Sequence, residues 1–448
     1  MKKTNRVSFG SKLGFLAAAV GSAVGLGNIW RFPYELGQNG GFAFLIVYLL
    51  CAFLIGWPLM LSEFAVGRMG QSNVAGTFIK ITGTRRWSWI GVMGAVCVLL
   101  VIGFYAVVCG WSLEYIYQAI SNQFSGQTPQ GLSESFTIFT TGTWRPILWL
   151  VIFLIINCAI VVGGVQEGIE KTSKVLMPFL FTIIVVLCIR SITLPGGLEG
   201  LKFLFTPDFS KISPSVILSA MGQAFFSLSL GMGCMLTYGS YMRKENNLGK
   251  TAFQVVGMDS LISVLCAMTI FPAVFALGID PSKGPELVFI TLPNVFNHIP
   301  GGYFWGILFF ILLAIAALTS TISMLEVITA YVSEQWNINR KATAIGTTLV
   351  IMLLAIGCSL SLGVWSDFTI LGFNLFDFFD NFTAKILMPI GGVAISIFFG
   401  WVVDRKSREA ELTNGGVLQL KYLKLYTFLL KYIVPFAILA VFIDQLLR

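Results

Sequence analysis

Charged side chains make up only 11% of this 448-residue chain, and histidine occurs once, as His298. An ordinary soluble domain carries about 25% charge, so a molecule wetted on every side is excluded. The lone histidine and eight cysteines without ligand spacing offer no metal cluster, and the thiols read as reduced and buried. No nucleophile–base pair stands out, which argues against an enzyme working within the membrane. Also missing are a soluble domain, a low-complexity tract, a long linker, and the repeated carbonyl-filter sequence that an ion channel would show.

Apolar sequence fills the chain instead. It is 56% hydrophobic with a mean hydropathy of +0.83. Runs long enough to span a bilayer fall near 13–36, 42–64, 88–118, 146–163, 172–192, 216–241, 255–278, 302–332, 344–364, 379–403 and 425–446. The fold class expected is therefore an all-α polytopic membrane protein with about eleven transmembrane helices. The first run reads as a true span, not a cleaved signal, because it continues into Arg31-Phe32-Pro33 and a second span. The stretch 280–301, with Pro285, Pro293 and Pro300, reads as an extracellular hairpin capping the bundle.

The net charge of +8 follows from topology. With the N-terminus cytoplasmic, inner segments hold Lys2, Lys3, Arg6, Lys12, Arg68, Lys80, Arg85, Arg86, Arg243, Lys244, Lys250, Arg340, Lys341, Arg405, Lys406 and Arg408. The opposite loops hold Arg145, Arg190, Lys202, Lys211 and Lys283, the asymmetry expected of a cytoplasmic N-terminus. The bilayer accounts for the basic balance, and no nucleic-acid partner is needed.

Glycine carries the next inference. Gly21, Gly25 and Gly27 sit among small and polar residues in a charge-free run, Leu13 to Trp30. Each glycine costs a helix about 1 kcal/mol relative to alanine, so the first span is predicted to break. Freed backbone groups cannot face lipid and must line an enclosed site. A small cation on the carbonyls, and an anionic group on the N–H groups of the second half-helix, suit such a break. The element Val24-Gly25-Leu26-Gly27 returns in the sixth span as Leu230-Gly231-Met232-Gly233. Five helices separate the two, so the second copy would enter from the opposite side. The expected organisation is one transporter domain over 1–448. It has an inverted five-plus-five repeat (1–201 and 202–410), discontinuous helices 1 and 6, and an eleventh helix in 411–448.

At these residues the sequence resembles the neurotransmitter:sodium symporter family, in particular its eleven-helix bacterial amino-acid transporters. The matching stretches are AVGLGNIWRFP (23–33), NGGFAF (39–44), PLMLSEFAVGR (58–68), GQAFFSLSLGMG (222–233), TYGSY (237–241), FITLP (289–293) and LTSTIS (318–323). The resemblance implies sodium-coupled symport of a neutral amino acid by alternating access in a bacterial cytoplasmic membrane. Two sodium ions are expected. The first would lie on Ala23, Asn28, Ser227 and Asp259, the last standing where the family commonly has asparagine. The second would lie on Gly21, Val24, Ala316, Thr319 and Ser320. Substrate would sit on Ser22, Ala23, Gly25, Leu26, Gly27, Tyr105, Phe226, Ser227 and Ser229. Val101, Phe226, Met232, Ser320 and Met324 would shape its side-chain pocket, and flexible methionines favour large hydrophobic or aromatic amino acids.

The same resemblance implies an outer gate of Arg31 and Asp377 with Phe226 as a lid. An inner gate would pair Arg6 with Glu334 beside Phe9 and Tyr241. Gly168 and Pro178 would let the fifth helix unwind, and Glu63 would hold the unwound backbone. Tyr48, Gln223, Ser227 and Ser263 match the side chains around chloride in animal members. Chloride is nevertheless not expected, because Asp259 already places a negative charge there. Proton coupling through Asp259 or Glu63, or a receptor that binds without transporting, are the alternatives.

Overall fold

The computed structural model describes residues 7–278, 287–418 and 422–447. Nine helices among them are long and apolar enough to cross a bilayer: Phe42–Gly70, Ser88–Ile120, Trp144–Val162, Val165–Ile192, Leu248–Ala276, Gly302–Trp336, Arg340–Leu360, Leu375–Val402 and Leu423–Asp444. A pair bent by 52°, Lys12–Ala23 and Gly27–Gln38, makes a tenth. The predicted sixth span is divided into Pro214–Ser227 and Cys234–Ser240, with 228–233 unwound between them. The protein is thus an all-α, multi-pass membrane protein. Spans keep their chain-order numbers below, from the first (12–38) to the eleventh (423–444).

Several spans start before their apolar runs do. Asn247, Asn339 and Asn374 each turn a side-chain oxygen onto a backbone N–H of the first helical turn. Those caps satisfy orphan donors and move the starts to Leu248, Arg340 and Leu375. The fifth span begins at Val165 rather than 172, because a π-helical turn, Val165–Glu170, runs directly into Lys171–Ile192. The stretch read as a hairpin is helical where it is described, as Leu287–Thr291 and Leu292–His298. Pro285 lies outside the described residues. Phe289 packs edge-on against Trp111 and Tyr115 and stacks on Phe136, an aromatic plug over the third span. The only β pairing among the described residues is a two-rung ladder between Thr369–Ile370 and Phe373–Asn374.

The first span lies at the centre, packed on the fifth, seventh and eighth. The eighth in turn packs along the third. The second half of the sixth span lies against the second almost backbone to backbone. A Cβ on Gly67 would come within 2.0 Å of the Leu236 carbonyl, and one on Gly239 within 2.7 Å of Phe64 Cα. Small residues permit such an approach where lipid supplies no hydrophobic drive for helix association. Gly67→Ala and Gly239→Ala should each destabilise the protein by about 1–3 kcal/mol through overpacking. Gly257→Ala, where a Cβ meets nothing within 4 Å, should not. Thermal unfolding of the three purified variants tests the contrast, which equal losses would remove.

Candidate functional site

The first span stops being helical at Val24, whose N–H still reaches the Val20 carbonyl at 2.7 Å while its ψ opens to 115°. Gly25 is obligatory there: a Cβ would lie 2.5 Å from Ser320 Oγ and 2.8 Å from the Tyr105 hydroxyl. Gly25 N–H donates to the Asn28 amide oxygen at 2.9 Å, and Leu26 N–H to the Tyr105 hydroxyl oxygen at 2.8 Å. The second break uses left-handed backbone at Ser229 (φ 52°), Gly231 (81°) and Gly233 (87°). Glu63 accepts from Gly231 N–H at 2.7 Å, and Ser229 Oγ donates to the Ser22 carbonyl at 3.0 Å. That last bond joins the two breaks. Ser22 Oγ itself donates to Ser323 at 2.7 Å.

Two oxygen-rich clusters flank the joined breaks. In the first, Ser227 Oγ donates to Asp259 Oδ2 at 2.8 Å and Tyr48 OH to the same oxygen at 3.3 Å. Asn28 NH2 donates to Asp259 Oδ1 (2.7 Å), Ser263 Oγ (2.8 Å) and Ser227 Oγ (3.0 Å). The Asn28 oxygen, expected as a cation ligand, accepts Gly25 N–H with one lone pair and keeps the other, and its nitrogen faces the carboxylate. Gln223 bonds the Gly27 carbonyl through Nε2 at 3.0 Å, while its buried Oε1 has no partner in the protein. In the second cluster Ser320 Oγ donates to the carbonyls of Val24 (2.9 Å) and Gly21 (3.4 Å). Thr319 Oγ1 bonds back to Ile315 and Ala316, both at 3.1 Å. Gly21, Val24, Ala316, Thr319 and Ser320 are thus gathered at one buried place.

A cavity of about 490 Å³ leads to Leu26, Gly27, Tyr105 and Phe226, past Trp30, Trp111, Asp377 and Asp380. Val101, Met232, Ser320 and Met324, expected around a substrate side chain, do not line it and are buried beyond it. The predicted Arg31–Asp377 ion pair is not formed. Arg31 lies over the Phe226 ring at 4.6 Å, with Glu35 3.9 Å from its Nε. Asp377 accepts from the Asn374 amide at 2.7 Å, held by the cap of its own helix. Both residues line one open cavity, and sequence spacing could not say that it stands open.

Comparison with known proteins now decides the family. The profile of the sodium:neurotransmitter symporter family matches residues 6–130 and 130–448. The chain belongs to this family. A sodium-dependent transporter of Bacillus subtilis is 38% identical over 444 residues, 99% of this chain and 98% of that one. The sodium-dependent serotonin transporter of Drosophila melanogaster is 30% identical, over 99% of this chain and 76% of its own length. The crystal structure of MhsT in complex with L-phenylalanine superposes with a TM-score of 0.90 at 44% identity, covering 98% of this chain and 100% of that one. This chain is a sodium-dependent transporter of the symporter family and not an enzyme.

At the other end of the symporter's broken helices a buried acid, Glu326, joins the residues expected there. Phe9 N–H donates to the Tyr241 carbonyl at 3.2 Å, and its ring meets Tyr238 and Tyr241 edge-on. The Tyr241 hydroxyl donates to Glu326 at 2.6 Å, and Arg340 forks onto both Glu326 oxygens at 2.8 and 2.5 Å. Glu334, the acid expected at this gate, is exposed and accepts from Asn73 N–H at 2.7 Å. Arg6 lies outside the described residues. Glu326 is the residue that the motifs missed. An acid deep in an apolar span was the available signal. Between Gly168 and Pro178 the fifth span is helical throughout.

Removing Arg340 would leave Glu326 buried with a single hydroxyl donor. Such losses cost about 3–5 kcal/mol, so Arg340→Ala should melt well below the parent. Arg340→Ala/Glu326→Gln should recover much of the difference, and a double variant no more stable than the single one would contradict the pairing.

Proposed function

We propose that this symporter takes up large neutral amino acids, hydrophobic and aromatic, by alternating access, drawing two sodium ions inward with each. The joined breaks carry the reading. Ser229 of the second break bonds Ser22 of the first, and Leu26, Gly27 and Phe226 line the cavity nearby, so backbone groups of opposite polarity would meet a ligand there. A zwitterion needs that pairing: donors for its carboxylate and acceptors for its ammonium. Tyr105 accepts from Leu26 N–H, which leaves its own proton for the carboxylate beside Gly27 N–H. The Ala23, Phe226 and Ser227 carbonyls, with Ser229 Oγ, would take the ammonium. Buried Val101, Phe226, Met232, Ser320 and Met324 would close around the side chain. The related MhsT structure holds L-phenylalanine, which supports this class.

The first cluster would hold one sodium on Ala23, Asn28, Ser227 and Asp259. Asp259 supplies the charge that an ion needs in a dry site. The second would hold another on Gly21, Val24, Ala316, Thr319 and Ser320. Each entering sodium gains roughly 2.3 kcal/mol per 100 mV of membrane potential. Chloride near Tyr48, Gln223, Ser227 and Ser263 would face the Asp259 carboxylate. At 4 Å and an effective dielectric of 20 that repulsion is about 4 kcal/mol, so transport should not need chloride. The protein would lie in a bacterial cytoplasmic membrane with its N-terminus inside and two inverted halves, 1–201 and 202–410. Closure of the cavity would bring Arg31 to Asp377, and Gly168 with Pro178 would let the fifth span open. Proton coupling is the second reading, favoured by Glu63 Oε2, which is buried with no hydrogen-bond partner.

Uptake of labelled phenylalanine into proteoliposomes tests these claims, with sodium and pH gradients imposed separately and chloride replaced by gluconate. Sodium alone should drive it; uptake driven by a pH gradient without sodium would transfer the coupling to the proton. Thr319→Ala/Ser320→Ala should fold yet lose sodium-driven uptake. Retained sodium dependence would refute the second site. Leucine, tyrosine and tryptophan should compete, whereas glutamate and lysine should not, because their extra charge would be buried without a partner.

A further inference from the structure

Glu170 is buried inside the start of the fifth span, yet most of its contacts are with the first. Its Oε2 accepts from Gly10 N–H at 2.6 Å, and its Oε1 from Ser11 N–H at 3.1 Å and Ser11 Oγ at 2.8 Å. Ser11 is the N-cap of the first span, where its Oγ takes the Gly14 N–H at 3.0 Å. A Cβ at Gly14 would lie 2.1 Å from Glu170 Oε1 and would have to displace that side chain. Lys174 Nζ balances the carboxylate at 2.6 Å. Four residues before Glu170, Gln166 Nε2 donates to the Ser8 carbonyl at 2.6 Å. Two turns further along, Met177 Sδ sits 3.1 Å from where a Gly21 Cβ would be, beside the carbonyl that Ser320 bonds. A single helical stretch therefore grips the first span at its start and again near its break.

That stretch is bounded by weak points. Residues Val165–Glu170 form a π-helical turn, entered through Gly164 at φ 83°. Gly168 is pressed against the Ile160 carbonyl so closely that a Cβ would lie 1.9 Å away. Pro178 lies within the helix on the other side and, having no N–H, cannot give the Lys174 carbonyl its intrahelical donor. Single π turns inside helices are frequent at functional sites. Loss of helix between these points would withdraw the acceptor from Gly10 and Ser11 and the wall from Gly21 in one event.

We propose that Glu170 is a positioning residue that clamps the N-terminal half of the first span to the fifth. Phe9, one residue before the clamped pair, bonds the Tyr241 carbonyl, so release would also loosen the end of the sixth span. The inference rests on the transport reading only for its dependence on sodium.

Hydrogen–deuterium exchange on the purified full chain, with and without sodium, tests it. In Glu170→Ala without sodium, exchange should quicken about tenfold, the loss of a charge-assisted bond. The gain should appear at 9–20 and also at 234–242, which Glu170 does not touch. Sodium needed for half-maximal phenylalanine binding should rise several-fold, and Glu170→Gln, which keeps an acceptor, should fall between. A purely local cap would alter residues 9–14 alone, and unchanged exchange at 234–242 with parental sodium dependence would overturn the clamp. If Glu170→Ala does not fold, Ser11→Ala carries the same readouts. Sodium should slow exchange at 234–242 in the parent. Its failure to do so would count against sodium coupling, while the sodium-free comparison still decides the clamp.

Discussion

Backbone groups released at membrane depth have no water to bond, and the centre of this protein is organised around that constraint. At Val24–Leu26 and again at Leu228–Gly233 the helix ladder is given up, and several of the freed groups are answered by neighbours. Asn28 and Tyr105 take N–H groups of the first break, and Glu63 takes one of the second. Ser320 and Ser229 donate to carbonyls of the first break, and Ser229 sits in the second. The third, second and eighth spans are held where they can supply those partners. Glycines at the breaks keep side chains out of space that Ser320, Tyr105 and the Met388 carbonyl already occupy.

Charge is distributed by the same rule. The buried Asp259 accepts from Ser227, Tyr48 and Asn28, and the buried Glu326 from Tyr241 and Arg340. Glu170 takes Gly10, Ser11 and Lys174. Arg68, on the second span, ties it to Glu411 and to carbonyls at 244 and 246. The acids close to the broken helices are bonded to groups on different spans. Any relative motion of the spans would have to exchange these bonds.

Much of the site was legible because its chemistry is carried by short contiguous motifs. Gly25 and Gly231 announce the breaks, and Asp259 is conspicuous in an apolar run. Thr319 and Ser320 each lie one turn on from Ala316, on the same helix face. Gates were less legible. Arg31 and Asp377 both line the cavity, yet whether they pair depends on how far apart two spans stand. Glu326 was overlooked because its partner Arg340 lies beyond a helix end, where a basic residue reads as surface. Helix starts at Leu248, Arg340 and Leu375 were misjudged, since hydropathy does not register an asparagine cap.

The sequence by itself determined the membrane class, the spans, the two breaks and the residue types gathered around them. Hydrophobicity and backbone propensity are local properties, and they act on each segment before any packing occurs. Only the tertiary structure decided which atom of Asn28 faces Asp259, that Arg31 lies over Phe226 beside an open cavity, and that Glu170 reaches the first span. Those outcomes depend on distances of a few tenths of an ångström between helices remote in sequence. Such distances are set by the sum of many side-chain volumes rather than by any one motif.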